Sequence, residues 1–475
     1  MNNDYPMLAA ILFFAILSIA PACQAQTQFP DTPAGKQAKA WLETFNAGDA
    51  EKYKEFARNN FPTRLQRADQ DVGFRQMTGG FELKKVEEST PTKMVALVQE
   101  RVSDQFARMT IEVDAAEPHQ ITRLGLNAIP RPPDFALPHL SESELIAGLR
   151  KKLDAEVAAD RFSGAALVAK NGKAVFAQAY GLADREKKTP NTLKTQFRLG
   201  SMNKMFTAVA TLQLVQSGKL DLKASLGKYL PDYPNKDVAS KVTIEQLLSH
   251  TGGTGDIFGP EFDKRRLELK TLSDYVSLYG QRALEFEPGS RWQYSNYGFL
   301  LLGVLIEKVS GQSYYDYVRD HIYKPAGMTG SASEPEDQTV SERSVGYTKL
   351  GGASWRPNTD TLPFRGTSAG GGYSTVEDLL RFATALQTNN LLNAQYTEML
   401  TTGKVETGRG KYAFGFQDDM VNGTRCFGHG GGAPGMNGAL QICPGPGYVI
   451  AVLANMDPPA ASRVADFISN RLPAK

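Results

Sequence analysis

The sequence predicts an α+β chain (α/β in the broad sense). A small helix-then-strand unit precedes a larger one, in which an antiparallel sheet is flanked by helices and joined to a helical subdomain. Three observations predict it. Strand-like runs gather after helical sequence near the start, hairpin signals stand at both ends of the stretch 141–475, and the sequence between those hairpins is mainly helical. At 475 residues the chain has room for two or three domains and a large core.

The elements follow in order. Met7 to Ala20 is apolar apart from Ser18, shorter than the roughly 20 residues a bilayer span needs. It leads into Pro21-Ala22-Cys23-Gln24-Ala25, whose small residues suit signal cleavage. Residues 1–25 are read as a signal peptide cut after Ala25, although Met1 to Pro6 carries no Lys or Arg. Acylation of Cys23, giving a lipoprotein, is the alternative. Either way the chain is expected to be exported, periplasmic or secreted, with no integral membrane domain.

Residues 26–130 form the first unit. Ala34 to Ala57 reads as helix, broken near Asn46-Ala47-Gly48-Asp49, and strands are expected over 80–86, 93–101, 105–113 and 119–127. The order resembles the cone-shaped NTF2-like fold, on pattern alone. No cluster of titratable residues marks an active site there, so binding a partner or covering the cleft is its expected job. Residues 131–140 are a linker stiffened by prolines. The unit 141–475 opens with a helix, Ser141 to Ala159, led by the capping sequence Ser141-Glu142-Ser143-Glu144. Phe162 to Lys170, Asn171-Gly172 and Lys173 to Tyr180 make a hairpin. Gly438 to Cys443, the turn Pro444-Gly445-Pro446-Gly447 and Tyr448 to Asn455 make another, and a helix from about Ala460 to Leu472 closes the chain. Strands at both ends imply one sheet closed by the two ends of the unit, with a cleft where the helical subdomain meets it.

A net charge of +2 and the lack of a Lys/Arg-rich run give no reason to expect nucleic acid. Cys426 and Cys443 fall in one hairpin-like segment and read equally as a disulfide or as two small buried residues. Neither cysteine nor histidine spacing suggests a metal.

The chemistry starts at Ser201-Met202-Asn203-Lys204, where an apolar helix begins and Gly218 ends it. Residues three apart share a helix face, so the amine reaches the hydroxyl; a desolvated lysine can take a serine's proton. That requires its pKa to fall by roughly three units, through burial and the positive end of the helix. Tyr294-Ser295-Asn296 stands in a turn-rich loop feeding the helix Phe299 to Val309. Its phenol can move a proton if neighbouring cations depress its pKa, while the bland reading is a helix start capped by Ser295 or Asn296. Phe427-Gly428-His429-Gly430-Gly431-Gly432 sets one imidazole in a glycine-rich strand end, where backbone N–H groups can hold an oxyanion.

Together, in this order, these segments resemble the serine β-lactamase and penicillin-binding protein superfamily, in its class C-like branch, over about Ser141 to Leu472. Gln246-Leu247-Leu248-Ser249-His250-Thr251-Gly252-Gly253 and Ser368 to Thr375 thicken the likeness. The resemblance implies a β-lactamase/transpeptidase-like fold and an acyl-enzyme mechanism without a cofactor. It makes Ser201 the nucleophile, Lys204 its proton acceptor and Tyr294 the second acid/base. Asn296 would orient substrate, and the N–H groups of Ser201 and Gly432 would hold the oxyanion. His429 stands where many members carry the lysine of a Lys-Thr-Gly motif. A histidine is largely neutral near neutral pH, which favours esters or amides without a carboxylate to be gripped.

Gly366-Thr367-Ser368-Ala369-Gly370 matches the α/β-hydrolase nucleophile elbow, but no apolar strand precedes it, so Ser368 is read as structural. Ser374 and Glu377 are read as the capping box of the next helix. His250 reads as a loop organiser, Met202, Met205 and Phe206 as core, and Tyr314, Tyr315 and Tyr317 as cover for a helix face. The expectation is an exported serine hydrolase acting on a small ester, amide or peptide. A DD-peptidase or β-lactamase is the first alternative. A non-catalytic binding protein working through residues 26–130 is the second.

Overall fold

The computed structural model describes residues 28–350, 354–408 and 410–474. The expected signal segment 1–25, and Cys23 with it, lies outside the described residues.

In the first unit the helix breaks where the sequence places the break. Pro33–Ala47 ends at Gly48 (φ 71°), and Asp49 caps Ala50–Asn60 by accepting from the backbone of Glu51 and Lys52. A left-handed residue at the end of one helix and an Asx cap on the next turn the chain within two residues. A further helix, Ala68–Thr78, is absent from the sequence reading. Its polar run Ala68-Asp69-Gln70-Asp71 carries little apolar periodicity, and its first turn is held through Asp71, which accepts from Tyr53 and Arg64. Strands Phe81–Ser89, Lys93–Glu100, Phe106–Val113 and Ile121–Ile129 form an antiparallel meander in that order. Trp41, Phe45, Phe81, Met94, Met109 and Ile111 fill the space between helices and sheet.

In the second unit Ser141 and Glu144 form the expected capping box on Glu142–Ala158. The main sheet runs Val405–Glu406, Lys411–Tyr412, Gln417–Val421, Thr424–Ala433, Met436–Cys443, Tyr448–Ala454, Gly164–Lys170, Lys173–Tyr180, each neighbour antiparallel. The two ends of the unit therefore meet at the pair Tyr448–Ala454 and Gly164–Lys170, as the terminal hairpins imply. Alternation buries both faces. Ala166, Val168, Ile450 and Val452 face the helices Glu142–Ala158 and Ala460–Ser469. Leu167, Phe427, Leu440, Ala451 and Leu453 face the helical subdomain and the helix Asn203–Gln216. Cys426 and Cys443 pair across neighbouring strands as a disulfide.

One expected cap is corrected. The helix Val376–Gln387 is capped by Thr375, whose side chain accepts from Asp378, while Ser374 lies in a short strand. Residue 374 is held there by pairing with Phe197, so the next hydroxyl takes the cap.

The first unit docks on the last helix. Arg471 grips Asp104 with both terminal nitrogens, at 2.5 and 3.1 Å, and Arg463 donates to the Met77 carbonyl at 2.6 Å. These contacts lie on the side of the sheet away from Ser201.

Candidate active site

Ser201 sits in a 3-10 turn, Gly200–Met202, that runs into the helix Asn203–Gln216. Met202, Met205 and Phe206 are fully buried and anchor the turn, while Ser201 keeps some exposure. The glycine-rich strand passes directly against this turn. A Cβ on Gly431 would collide with the Leu199 carbonyl, and one on Gly200 would come within 3.0 Å of the Gly432 nitrogen. Only bare backbone fits, and it brings the Gly432 amide beside the nucleophile turn.

Lys204 is fully buried. Its Nζ lies 3.3 Å from Ser201 Oγ, donates to Asn296 Oδ1 at 2.7 Å, and donates to the Ala369 carbonyl. Both carbonyl groups can only accept, so a neutral amine spends its two N–H bonds on them and its lone pair is left for the hydroxyl. Burial lowers the amine from 10.5 to about 7, against the opposing pull of Asp256. No carboxylate pairs with this amine among the described residues.

Asp256 also decides which way Asn296 points. It accepts from the Asn296 backbone at 3.2 Å and from its Nδ2 at 3.1 Å, leaving Oδ1 for the lysine. Both ends of the Asn296 amide are thus engaged within the protein, in addition to any role toward substrate. The elbow-like segment proves to be a strap along the nucleophile helix. Asn203 donates to the Thr367 carbonyl at 2.6 Å, Thr207 to that of Ser368 at 2.7 Å, and Lys204 to that of Ala369. Ser368 Oγ is buried without a hydrogen-bond partner among the described residues and packs against Gly303.

Tyr294 precedes Ser295, which caps the helix Asn296–Ser310. Its ring centre is 4.7 Å from Lys204 Nζ, and the Ser201 side chain stands among the groups that act on its hydroxyl. Burial raises this phenol above the ordinary value, with the Ser201 hydroxyl only partly opposing. The expected depression by neighbouring cations is therefore corrected: desolvation penalises the phenolate and outweighs the opposing influence of the Ser201 hydroxyl.

His429 is buried in the strand Thr424–Ala433, with its ring 6.4 Å from that of Tyr294. Its Nε2 meets the Tyr412 hydroxyl at 3.1 Å and its Nδ1 the Gly430 carbonyl. Burial, reinforced by Lys204, takes it down to about 4. His250, expected to organise a loop, reaches the same tyrosine. Asp256, the Ala369 carbonyl and Tyr412 are absent from the sequence reading. Each lies far along the chain from the group it serves, and no local spacing marks it. Among the described residues no His/Cys/Asp/Glu group could hold a metal ion.

Comparison with known proteins gives a consistent picture. The Beta-lactamase family pattern matches residues 149–475. PbpX of Bacillus subtilis (strain 168) is 32% identical over 257 residues, 54% of this chain and 62% of PbpX, so the chain spans less than two thirds of that relative. A penicillin binding protein from Bacillus halodurans is 32% identical with a TM-score of 0.61, covering 66% of this chain and 98% of its own. A D-stereospecific amidohydrolase from Streptomyces sp. is 28% identical with a TM-score of 0.58, covering 68% and 98%.

Proposed function

The chain belongs to the β-lactamase family of serine hydrolases, and on that premise we propose that Ser201 carries the acyl group in a two-step cleavage of esters or amides. The observation that carries this reading is the placement of Lys204. It is buried, unpaired by any carboxylate among the described residues, satisfied by two carbonyls, and left with one direction, toward Ser201 Oγ.

Lys204 takes the Ser201 proton as Oγ bonds to the acyl carbon. The oxyanion that forms is held by the N–H groups of Ser201 and Gly432, each such donor contributing roughly 3 kcal/mol to the transition state. Tyr294 keeps its proton at rest, since burial disfavours the phenolate. It therefore works as a conduit, passing its hydroxyl proton to the leaving oxygen or nitrogen and regaining one from the Lys204 ammonium. Water then attacks the acyl carbon, giving its proton to the Lys204 amine, and the bond from the acyl carbon to Oγ breaks as the ammonium returns a proton to Ser201 Oγ. With His429 neutral, the cleft lacks a fixed cation at that position, which suits acyl groups without a carboxylate.

The test is intact-mass analysis of wild type and Ser201→Ala after exposure to short-chain p-nitrophenyl esters, D-amino acid amides and a fluorescent penicillin. A mass increase on the wild type alone supports the reading; no adduct from any donor sinks it. The likeness to the Bacillus halodurans penicillin binding protein favours a second reading, a penicillin-sensitive peptidase or β-lactamase. Labelling by the penicillin at Ser201 would select it.

Export is part of the proposal. The apolar run Met7 to Ala20, the small residues before Ala25 and the Cys426–Cys443 disulfide support an oxidising compartment. No helix of the described residues is long and apolar enough to cross a membrane. N-terminal sequencing of the mature protein separates cleavage after Ala25 from acylation of Cys23. For residues 26–130 we retain an NTF2-like unit with a binding or positioning role.

A further inference from the structure

Behind Tyr294 lies a row of buried polar rings that the proposed reaction does not use: His250, Tyr412 and His429 are 1%, 2% and 5% exposed. Four hydrogen bonds join them and their ends, and the direction of each is forced. The Ser295 backbone N–H meets His250 Nδ1 at 3.2 Å. A backbone amide can only donate, so Nδ1 carries the lone pair and the proton of this imidazole sits on Nε2. That Nε2–H points at the Tyr412 oxygen, 3.0 Å away. The tyrosine proton is then directed to His429 Nε2, at 3.1 Å. With Nε2 accepting, the His429 proton sits on Nδ1 and goes to the Gly430 carbonyl. Neither nitrogen of His429 is left for substrate.

The other end of the row holds the phenol. His250 accepts from the Gln293 amide through its own carbonyl at 2.9 Å and from the Ser295 amide through its ring. These are the residues on either side of Tyr294, whose ring lies 4.4 Å from the imidazole. His250 itself takes a left-handed backbone conformation (φ 59°), which turns its carbonyl and ring toward one segment. The clamp fixes Tyr294 from both sides, and Tyr412 fixes the clamp.

We propose that His250 and Tyr412 are positioning residues for Tyr294, and that His429 is the neutral terminus of their one-way hydrogen-bond chain rather than an acid, a base or an anion-binding cation. The inference rests on the serine hydrolase reading only for its kinetic consequence; the proton positions stand or fall without turnover. Burial of both imidazoles, which lowers each below its ordinary value, supports the uncharged chain.

The chain holds five histidines, and replacing His119, His139 and His321 by Gln leaves only the two in question. Long-range 1H–15N spectra of that protein at mildly alkaline pH are expected to show one imidazole protonated at Nε2 and the other at Nδ1, both neutral. In Tyr412→Phe, which keeps the ring and removes the hydroxyl, the Nδ1–H form is expected to lose its exclusivity. The kcat for an ester is expected to fall by at least about 10-fold with KM little changed, as a misplaced proton donor predicts. Two Nε2–H imidazoles, a charged His429, or an unchanged kcat in a folded Tyr412→Phe would each overturn the proposal. If that variant does not fold, the spectrum of the parent protein decides. If the parent takes up no acyl group but shows the two proton positions, the hydrolase reading fails and the chain stands.

Discussion

Two buried cationic regions of this molecule behave in opposite ways. In the cleft, Lys204 is fully enclosed and finds two carbonyls but no carboxylate among the described residues, so burial lowers its pKa to about 7. In the seam between the first unit and the last helix, Arg471 and Asp104 meet with both guanidinium nitrogens engaged, and Glu156 is ringed by Lys152, Arg161 and Arg463. There the charges keep their partners. Arg161 and its neighbours hold the Glu156 carboxyl below the usual range, although burial, the largest influence, pushes the other way. Burial alone does not decide what a charged group does. A partnered charge becomes a fastener, whereas an amine offered only neutral acceptors becomes a base.

The largest effect that could break this contrast is at Lys204. Lys204→Arg keeps a cation in reach but one that cannot give up its proton, and the acylation rate is expected to fall by about 10³-fold or more. Stopped-flow acylation with a chromogenic ester measures it; near wild-type rates would mean that charge rather than basicity is required at this position. Next is the seam. Asp104→Ala strands the Arg471 guanidinium, and thermal unfolding is expected to show a loss of about 3 kcal/mol while acylation per folded molecule stays unchanged. A fall in acylation would mean that the first unit reaches the cleft after all.

The smallest effect sharpens the electrostatics. The acid limb of kcat/KM is expected near the Lys204 value of about 7, with activity rising as pH climbs through it and the amine loses its proton. Asp256 favours the protonated amine, so Asp256→Asn, which can still accept from Asn296 Nδ2, is expected to move that limb to lower pH. A limb that stays in place would assign it to another group.

How much of this could be read from the chain follows the range of the contacts involved. Ser201 and Lys204 are legible because a helical turn puts residues three apart on one side, and the 3-10 start shifts this little. The terminal hairpins are legible because Asn171-Gly172 takes the two positive φ values its turn needs, 49° and 76°. The Ala369 carbonyl is not legible: it is 165 residues from the amine it receives, and backbone oxygen leaves no mark in a sequence. Asp256 reaches Asn296 across 40 residues of loop and helix, and Tyr412 lies in a two-residue strand with no pattern to read. The helix Ala68–Thr78 escapes notice because its polar first turn hides the few apolar residues, Ala68, Val72 and Phe74, that reach the core, and Thr375 displaces Ser374 as cap because sheet pairing claims residue 374 first.

The strap over the nucleophile helix has a consequence for mutational mapping. Its contribution to the lysine comes from peptide oxygens, which every codon encodes alike. A scan of single substitutions at Ala369 would report how large a side chain the space tolerates and would be silent about the proton chemistry passing over it. Deleting one residue between 366 and 370 would slide all three oxygens out of step with Asn203, Lys204 and Thr207, and should silence the enzyme while leaving every side chain named for catalysis intact.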